Sequence, residues 1–278
     1  MRPRLATLVA LLACIALPAT AAAQGSIVSV DPNANAATGT EPAASTAADG
    51  ASTTQDPGQE QQGATVGDYR PSRTFVYDAR LVTRVGVRPK PGGGRLIATM
   101  APWIGGTGNP VDLLILDGTV MVRGVPWIKV LLPNRPNGST GWIKQDSVVV
   151  HGNPMRIRIS LSQHLLQVFR KGTIVHRVGV ALGAPSTPTP RGHFAIYQKV
   201  REPSDSPLAP WALHLTAHSN VLFEFAGGPG RVAIHGARGS LWAKAGTNPS
   251  HGCIRVPDPG IGAVANLVSP GTPVDIVA

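Results

Sequence analysis

Cys253 stands in the run Ser250-His251-Gly252-Cys253-Ile254-Arg255, and a second short run, Ile234-His235-Gly236, lies upstream of it. A cysteine attacks as its thiolate, which a neighbouring base or a positive potential makes accessible, so these residues could work as a Cys-His pair. In that chemistry the sulphur attacks a carbonyl carbon, a histidine carries the thiol proton, and backbone N–H groups hold the oxyanion. Gly252 lacks a Cβ, so the chain can turn sharply there and a substrate can approach the backbone closely, which favours an oxyanion hole in this turn. His251 is two residues from Cys253, whereas fourteen residues separate His235 from Ser250, enough for a loop that returns to the same place. His235 is therefore the better candidate for the base, although spacing alone leaves the position of both histidines open. Two other readings compete. A lone cysteine can be a small buried hydrophobe. Two histidines and a cysteine can also hold zinc with an open fourth position, which requires all three side chains to converge. The chain shows no other metal-binding motif, and no cofactor is expected.

The elements that must position these residues are strands. From Pro154 onward, Met155 to Ser162, His164 to Arg170 and Thr173 to Leu182 have the alternation and spacing of a meander, which Gly192 to Val200 continues. Arg231 to Ile234 is a short strand that delivers His235 to its end, and Thr272 to Val277 closes the chain as a strand. The one convincing helix is Asp258 to Val268, with Asp258 as N-cap and Pro259 in the first helical position. Between Val200 and Gly230 lies a Pro- and Gly-rich segment holding Trp211, His214, His218 and Phe223, whose length suits a lid. His214 and His218 read as surface or packing residues. Upstream, residues 73–150 alternate short apolar runs with turns: Thr74 to Tyr77, Val111 to Leu116, a hairpin signal at Asp117-Gly118, then Pro126 to Leu132 and Gly141 to Ile143. This predicts a small β-barrel, with Trp127 and Trp142 in its core.

The N-terminus carries Arg2 and Arg4, an apolar run from Leu5 to Leu17, and small residues ending at Ala23, the three-part plan of a secretory signal peptide over residues 1–23. The run is shorter than the ~20 residues a membrane span needs. Cys14 also resembles a lipoprotein box, but apolar residues continue past it and an Ala-x-Ala site follows, so it is expected to leave with the leader. The mature chain then has one cysteine and no internal disulfide. Residues 24–72 are rich in Ala, Thr, Ser and Gly and read as a disordered tether. Its charged residues up to Asp68 are all acidic, so the folded remainder is more basic than the whole-chain +10. That charge would draw the protein toward a polyanion. Export, and the lack of interleaved aromatic and basic residues, argue against nucleic acid and leave anionic wall polymers as possible partners.

The His-Gly followed by Ser-His-Gly-Cys-Ile-Arg is similar to the signature of the L,D-transpeptidase catalytic domain, the YkuD family. Gly183 to Phe194, with Thr187-Pro188-Thr189-Pro190-Arg191-Gly192, resembles that family's Thr-Pro-x-Gly-x-Phe segment. The Trp127-x-x-Val130 and Gly141-Trp142-Ile143 pattern resembles a bacterial SH3-like domain. These resemblances imply a mainly β protein: an SH3-like barrel over 73–150, then a β-rich sandwich catalytic domain with one short helix over 152–278. The implied activity is cross-linking of peptidoglycan stem peptides through a Cys253 thioester. The implied roles are His235 as base, the Gly236 carbonyl orienting its ring, and the N–H groups of His251, Gly252 and Cys253 as the oxyanion hole. Arg255 would hold a donor carboxylate or the loop, and Ser250 would fix the turn. Carbapenems are expected to acylate Cys253. An L,D-carboxypeptidase or a wall-protein anchoring enzyme would use the same thioester, and a non-catalytic wall-binding module is the reading outside enzymes. The expected location is periplasmic or wall-associated.

Overall fold

Aliphatic and β-branched runs cut by Gly, Pro and Asp turns suit half-buried ladders, where such side chains pack against their cross-strand neighbours. The computed structural model describes residues 67–237 and 244–278. The expected leader and residues 24–66 of the expected tether lie outside them. All described residues fall in one unit, Glu60–Ala278.

The first half holds β1 (Val76–Leu81), β2 (Val85–Val87), β3 (Ala98–Met100), β4 (Asp112–Val122), β5 (Val125–Leu131), β6 (Thr140–Lys144) and β7 (Val148–Asn153). Five of these form a sheet in the order β6-β5-β4-β1-β7, and β2 pairs with β3. A bridge between Arg88 and Trp142 ties the end of β2 to β6, so the strands curl around Leu113, Ile115, Ile128, Val130 and Ile143. Trp127 is buried and Trp142 half-buried. Two expectations change here. The β4–β5 turn is at Arg123 and Gly124, both at positive φ, whereas Asp117-Gly118 sits inside β4 where the register shifts. Two consecutive positive-φ residues give the turn twist that a two-residue hairpin needs, and the Asp-Gly pair instead marks a bulge. Order also starts before residue 73: Tyr69 packs edge-on against Tyr77 at 5.4 Å, and Thr119 Oγ1 donates to the Gly67 carbonyl.

The second half holds β8 (Met155–Ser160), β9 (Leu165–Arg170), β10 (Thr173–Gly179), β11 (Gly192–Arg201), β12 (Trp211–His218), β13 (Arg231–His235), β14 (Ile254–Arg255), α1 (Asp258–Leu267) and β15 (Pro273–Val277). They make one sheet, β10-β9-β8-β15-β11-β12-β13-β14, wrapped with α1 around a common core that includes Ile157, Phe194, Leu213, Ile234, Ile254 and Ile261. The expected meander therefore ends at β10: β15 inserts between β8 and β11, pairing with β8 in parallel. β12 was not anticipated, because Pro and Gly on either side made its surroundings read as loop. It is nevertheless a central strand with Leu213, Leu215 and Ala217 fully buried. In α1 the residue before the first turn is Pro257, and Asp258 does not cap the helix; its Oδ1 accepts the Ala237 N–H at 3.2 Å.

The two halves share packing. Val76, Leu114 and Leu131 form one buried cluster with Ala195, and Asn153 Nδ2 donates to Thr272 Oγ1 at 3.1 Å.

Candidate active site

The apolar sequence Val232-Ala233-Ile234 buries β13 on both faces and carries His235 to the strand end, 4% exposed. β14 lies parallel beside it, with Ile234 opposite Ile254 and His235 opposite Arg255. The residue entering β14 is Cys253, which is thus set against β13 beside Ala233. His235, Ser250, His251, Cys253 and Arg255 line one cavity of about 460 Å³, together with Asp205, Pro207, Leu208, Phe225 and Ala237. The structure brings both motifs to one place.

The turn that presents Cys253 is braced from within and from behind. Ser250, 1% exposed, donates from Oγ to the Cys253 carbonyl at 2.6 Å and accepts the Gly252 N–H at 3.1 Å. Of the three N–H groups expected at the oxyanion hole, that of Gly252 is thereby engaged inside the turn. The His251 and Cys253 N–H groups are the donors that this bracing leaves available. Gly252 has φ +113, a region that favours glycine. Behind it, Thr189 Oγ1 accepts the Gly183 N–H at 2.9 Å and donates to the Gly252 carbonyl at 3.0 Å, and Thr187 Oγ1 donates to the Ser250 carbonyl at 3.2 Å. A Cβ on Gly183 would lie 2.4 Å from the Thr187 carbonyl oxygen and 2.9 Å from Gly252 Cα, so only glycine lets this segment close on the turn. The Pro/Thr segment supports the turn that presents Cys253. Its hydroxyls could be read as functional only from the Thr-x-Thr spacing, and no role was drawn from that.

The two histidines differ sharply. His235 Nδ1 bonds closely to the Gly236 carbonyl. A carbonyl only accepts, so Nδ1 carries the proton and neutral His235 keeps Nε2 as its basic atom. Burial pushes this imidazole down to about 4; the Gly236 bond opposes that, and Arg255 and His214 reinforce it. Burial likewise raises the Cys253 thiol, against a backbone hydrogen bond with Ala233 and the charge of Arg255. Both shifts favour the uncharged forms, thiol for Cys253 and imidazole for His235. His251 instead turns outward, exposed, with its ring 4.9 Å from that of Phe225. His214 is half-buried and His218 buried, both on β12.

Among the described residues His235, His251 and Cys253 do not form a convergent ligand set. The group whose ligand atoms lie within 4.8 Å of one another is Asp78, Asp112 and His151, in the first half. There Arg80 already pairs with both carboxylate oxygens of Asp112, at 2.9 and 3.2 Å.

Residues missed in the sequence are Asp205, Pro207, Leu208 and Phe225, which come from two loops flanking β12. Val200 to Gly230 was expected to contain a lid, and these four are the part of it that lines the cavity.

Residues 154–276 match the family described as the L,D-transpeptidase catalytic domain, YkuD. L,D-transpeptidase 1 of Mycobacterium tuberculosis is 32% identical over 125 residues, covering 42% of this chain and 48% of that protein. The chain thus spans about half the length of the curated relatives it first matches. Among solved structures, an L,D-transpeptidase from Mycobacterium tuberculosis H37Rv aligns with TM-score 0.38 and 18% identity over 60% of this chain and 90% of that one. The catalytic domain of the E. faecium L,D-transpeptidase aligns with TM-score 0.33 and 21% identity over 44% and 95%.

Proposed function

Residues 154–276 are a YkuD L,D-transpeptidase catalytic domain, and from that premise we propose that the protein forms peptidoglycan cross-links through a thioester on Cys253. The observation that carries this is the His235 ring, fixed by Gly236 in the tautomer that leaves Nε2 basic, at the wall of the cavity that holds Cys253.

In this mechanism the Cys253 sulphur attacks the carbonyl carbon of the third residue of a donor stem, and its proton passes to His235 Nε2. The carbonyl oxygen becomes an oxyanion held by the N–H groups of His251 and Cys253. Collapse breaks the amide bond, and His235 returns the proton to the departing amine of the terminal D-Ala. An acceptor amine then attacks the thioester, loses its proton to His235, and expels the thiolate, which takes the proton back. Arg255 and Asp205 line the same cavity, on the sides of Cys253 and of the loop before β12. We place the reaction outside the cytoplasmic membrane, on the leader-like character of residues 1–23.

The tests are mass spectrometry of the protein after exposure to a carbapenem and, on a separate drug-free sample, incubation with a tetrapeptide-stem dimer. A drug adduct on Cys253 and a cross-linked product support transpeptidation. Trimmed tripeptide alone assigns the protein to L,D-carboxypeptidases, and an unmodified, alkylation-resistant Cys253 rejects the enzyme reading.

A further inference from the structure

Residues 219–230 leave β12 and return into β13, and at their tip Phe225 meets His251 over the cavity. This excursion is poorly held by burial: Val221 is 49%, Phe223 68% and Phe225 47% exposed. Apolar side chains that stay in water contribute little to fixing a loop. Its backbone closes on itself between Ser219 and Gly230 and between Phe225 and Gly228, and its remaining polar fixed points come from the other half of the molecule, from the turn between β5 and β6. Arg135 donates from Nη1 to the Ser219 carbonyl at 2.7 Å, and from Nη2 to the carbonyls of Leu222 at 3.0 Å and Pro229 at 3.1 Å. Its guanidinium also lies 4.8 Å from the centre of the Phe223 ring. Asn137 acts like a strand residue toward β12: Nδ2 donates to the His218 carbonyl at 2.8 Å and Oδ1 accepts the His218 N–H at 2.8 Å. One guanidinium therefore joins the start, middle and end of the loop, and the side-chain amide beside it fixes the residue from which the loop departs.

We infer that Arg135 is a positioning residue of the active site: through residues 219–230 it sets Phe225 against His251 and so shapes the wall that binds the donor substrate. The inference rests on the transpeptidase reading for its substrate and on the coordinates for the coupling. Arg135 touches neither Cys253 nor His235, so its effect falls on binding and not on the chemical step. Lysine is a poor substitute, because an ammonium cannot span three carbonyls in a plane and stack on a ring.

The experiment uses the full chain and its Arg135→Ala, Arg135→Lys, Phe225→Ala and Arg135→Ala/Phe225→Ala variants. Acylation by a carbapenem is measured against drug concentration, to separate half-saturation from the maximal rate. Arg135→Ala is expected to raise the half-saturating concentration about tenfold, the effect of ~1.4 kcal/mol, with the maximal rate within about twofold of wild type. Arg135→Lys should recover little of this. The double variant should be no worse than Phe225→Ala alone, because the two residues act on one contact. Additive losses, or a loss confined to the maximal rate, would overturn the inference. Proton NMR of the His251 ring gives a readout independent of activity: its resonances should shift in Arg135→Ala in the direction seen in Phe225→Ala. Unshifted resonances in a folded Arg135→Ala protein reject the coupling even if the enzyme is active. A wild-type protein that takes no acyl group, yet shows the shift, rejects the transpeptidase reading and leaves the coupling standing.

Discussion

The wall of the cavity that carries His235, Ser250 and Cys253 is the end of β13 and the braced turn that enters β14, anchored in the sheet, whereas the wall that carries Asp205, Leu208 and Phe225 is made of two loops. On the first wall His235 and Ser250 are 4% and 1% exposed, and the turn holding Cys253 is bonded to Thr187 and Thr189. On the second, Phe225 is 47% exposed and its loop is tied down from the other half of the molecule. The difference separates proton transfer, which needs sub-ångström placement, from recognition, which tolerates and can exploit looser placement. Substitutions on the sheet wall should therefore remove chemistry, and substitutions on the loop wall should weaken binding.

The largest effect belongs to Cys253→Ala. No acyl adduct should appear by mass spectrometry with any carbapenem, while circular dichroism and Tm stay near wild type, since Cys253 fills little of the core. A surviving adduct would place the nucleophile elsewhere and dissolve the contrast between the walls.

Next is His235→Ala, expected to slow acylation roughly 10²–10⁴-fold, the usual loss of a general base. Its pH dependence follows from the environment. Burial holds His235 down to about 4, so above that value the folded protein carries the neutral, proton-accepting ring. Wild-type acylation should therefore persist as pH falls through 6 and decline only toward pH 4. In His235→Ala the Cys253 proton must be lost to solvent, and burial raises the thiol. The rate of that variant should climb with pH past the ordinary cysteine value of about 8.5. Acylation rates from pH 4 to 10 check both limbs, and a wild-type decline centred near 6.5 would contradict the buried, neutral histidine.

Thr189→Val sharpens the contrast from behind the sheet wall. It keeps the shape but removes both bonds to Gly183 and Gly252. Leaving those buried groups unmatched should cost roughly 1–3 kcal/mol of stability, read as a lower Tm, with acylation slowed about tenfold because the turn is less well placed.

These cases also show what the sequence could disclose. The meeting of Cys253, His235 and the Ser250–Gly252 turn was legible because each motif is short and local and the fourteen residues between His235 and Ser250 are enough for a loop that returns. The strand bringing His235 was legible from Val232-Ala233-Ile234. Other features depend on partners far along the chain. Arg135 meets Ser219 and Leu222 across more than 80 residues, and nothing near Arg135 marks it. β12 was hidden by the Pro and Gly around it, since its burial comes from β11 and β13. The Gly252 N–H was assigned to the oxyanion because the family pattern names the turn, whereas the Ser250 hydroxyl that occupies it is a matter of rotamer.

The smallest effect is expected for His251→Ala, and it decides whether the two walls are as separate as the geometry indicates. Its backbone N–H, which the proposed mechanism gives to the oxyanion, is retained by alanine. What is lost is the ring that faces Phe225 at 4.9 Å. Such a pair contributes about 0.5–1.5 kcal/mol beyond burial, so acylation efficiency should fall about 2–10-fold, mainly through half-saturation. Since the ring takes no proton in the mechanism, the ratio of variant to wild-type rate should stay flat from pH 5 to 9. A loss of 10²-fold or more that recovers at high pH would make His251 the base, join the chemistry to the contact with the loop wall, and leave His235 as a buried packing residue.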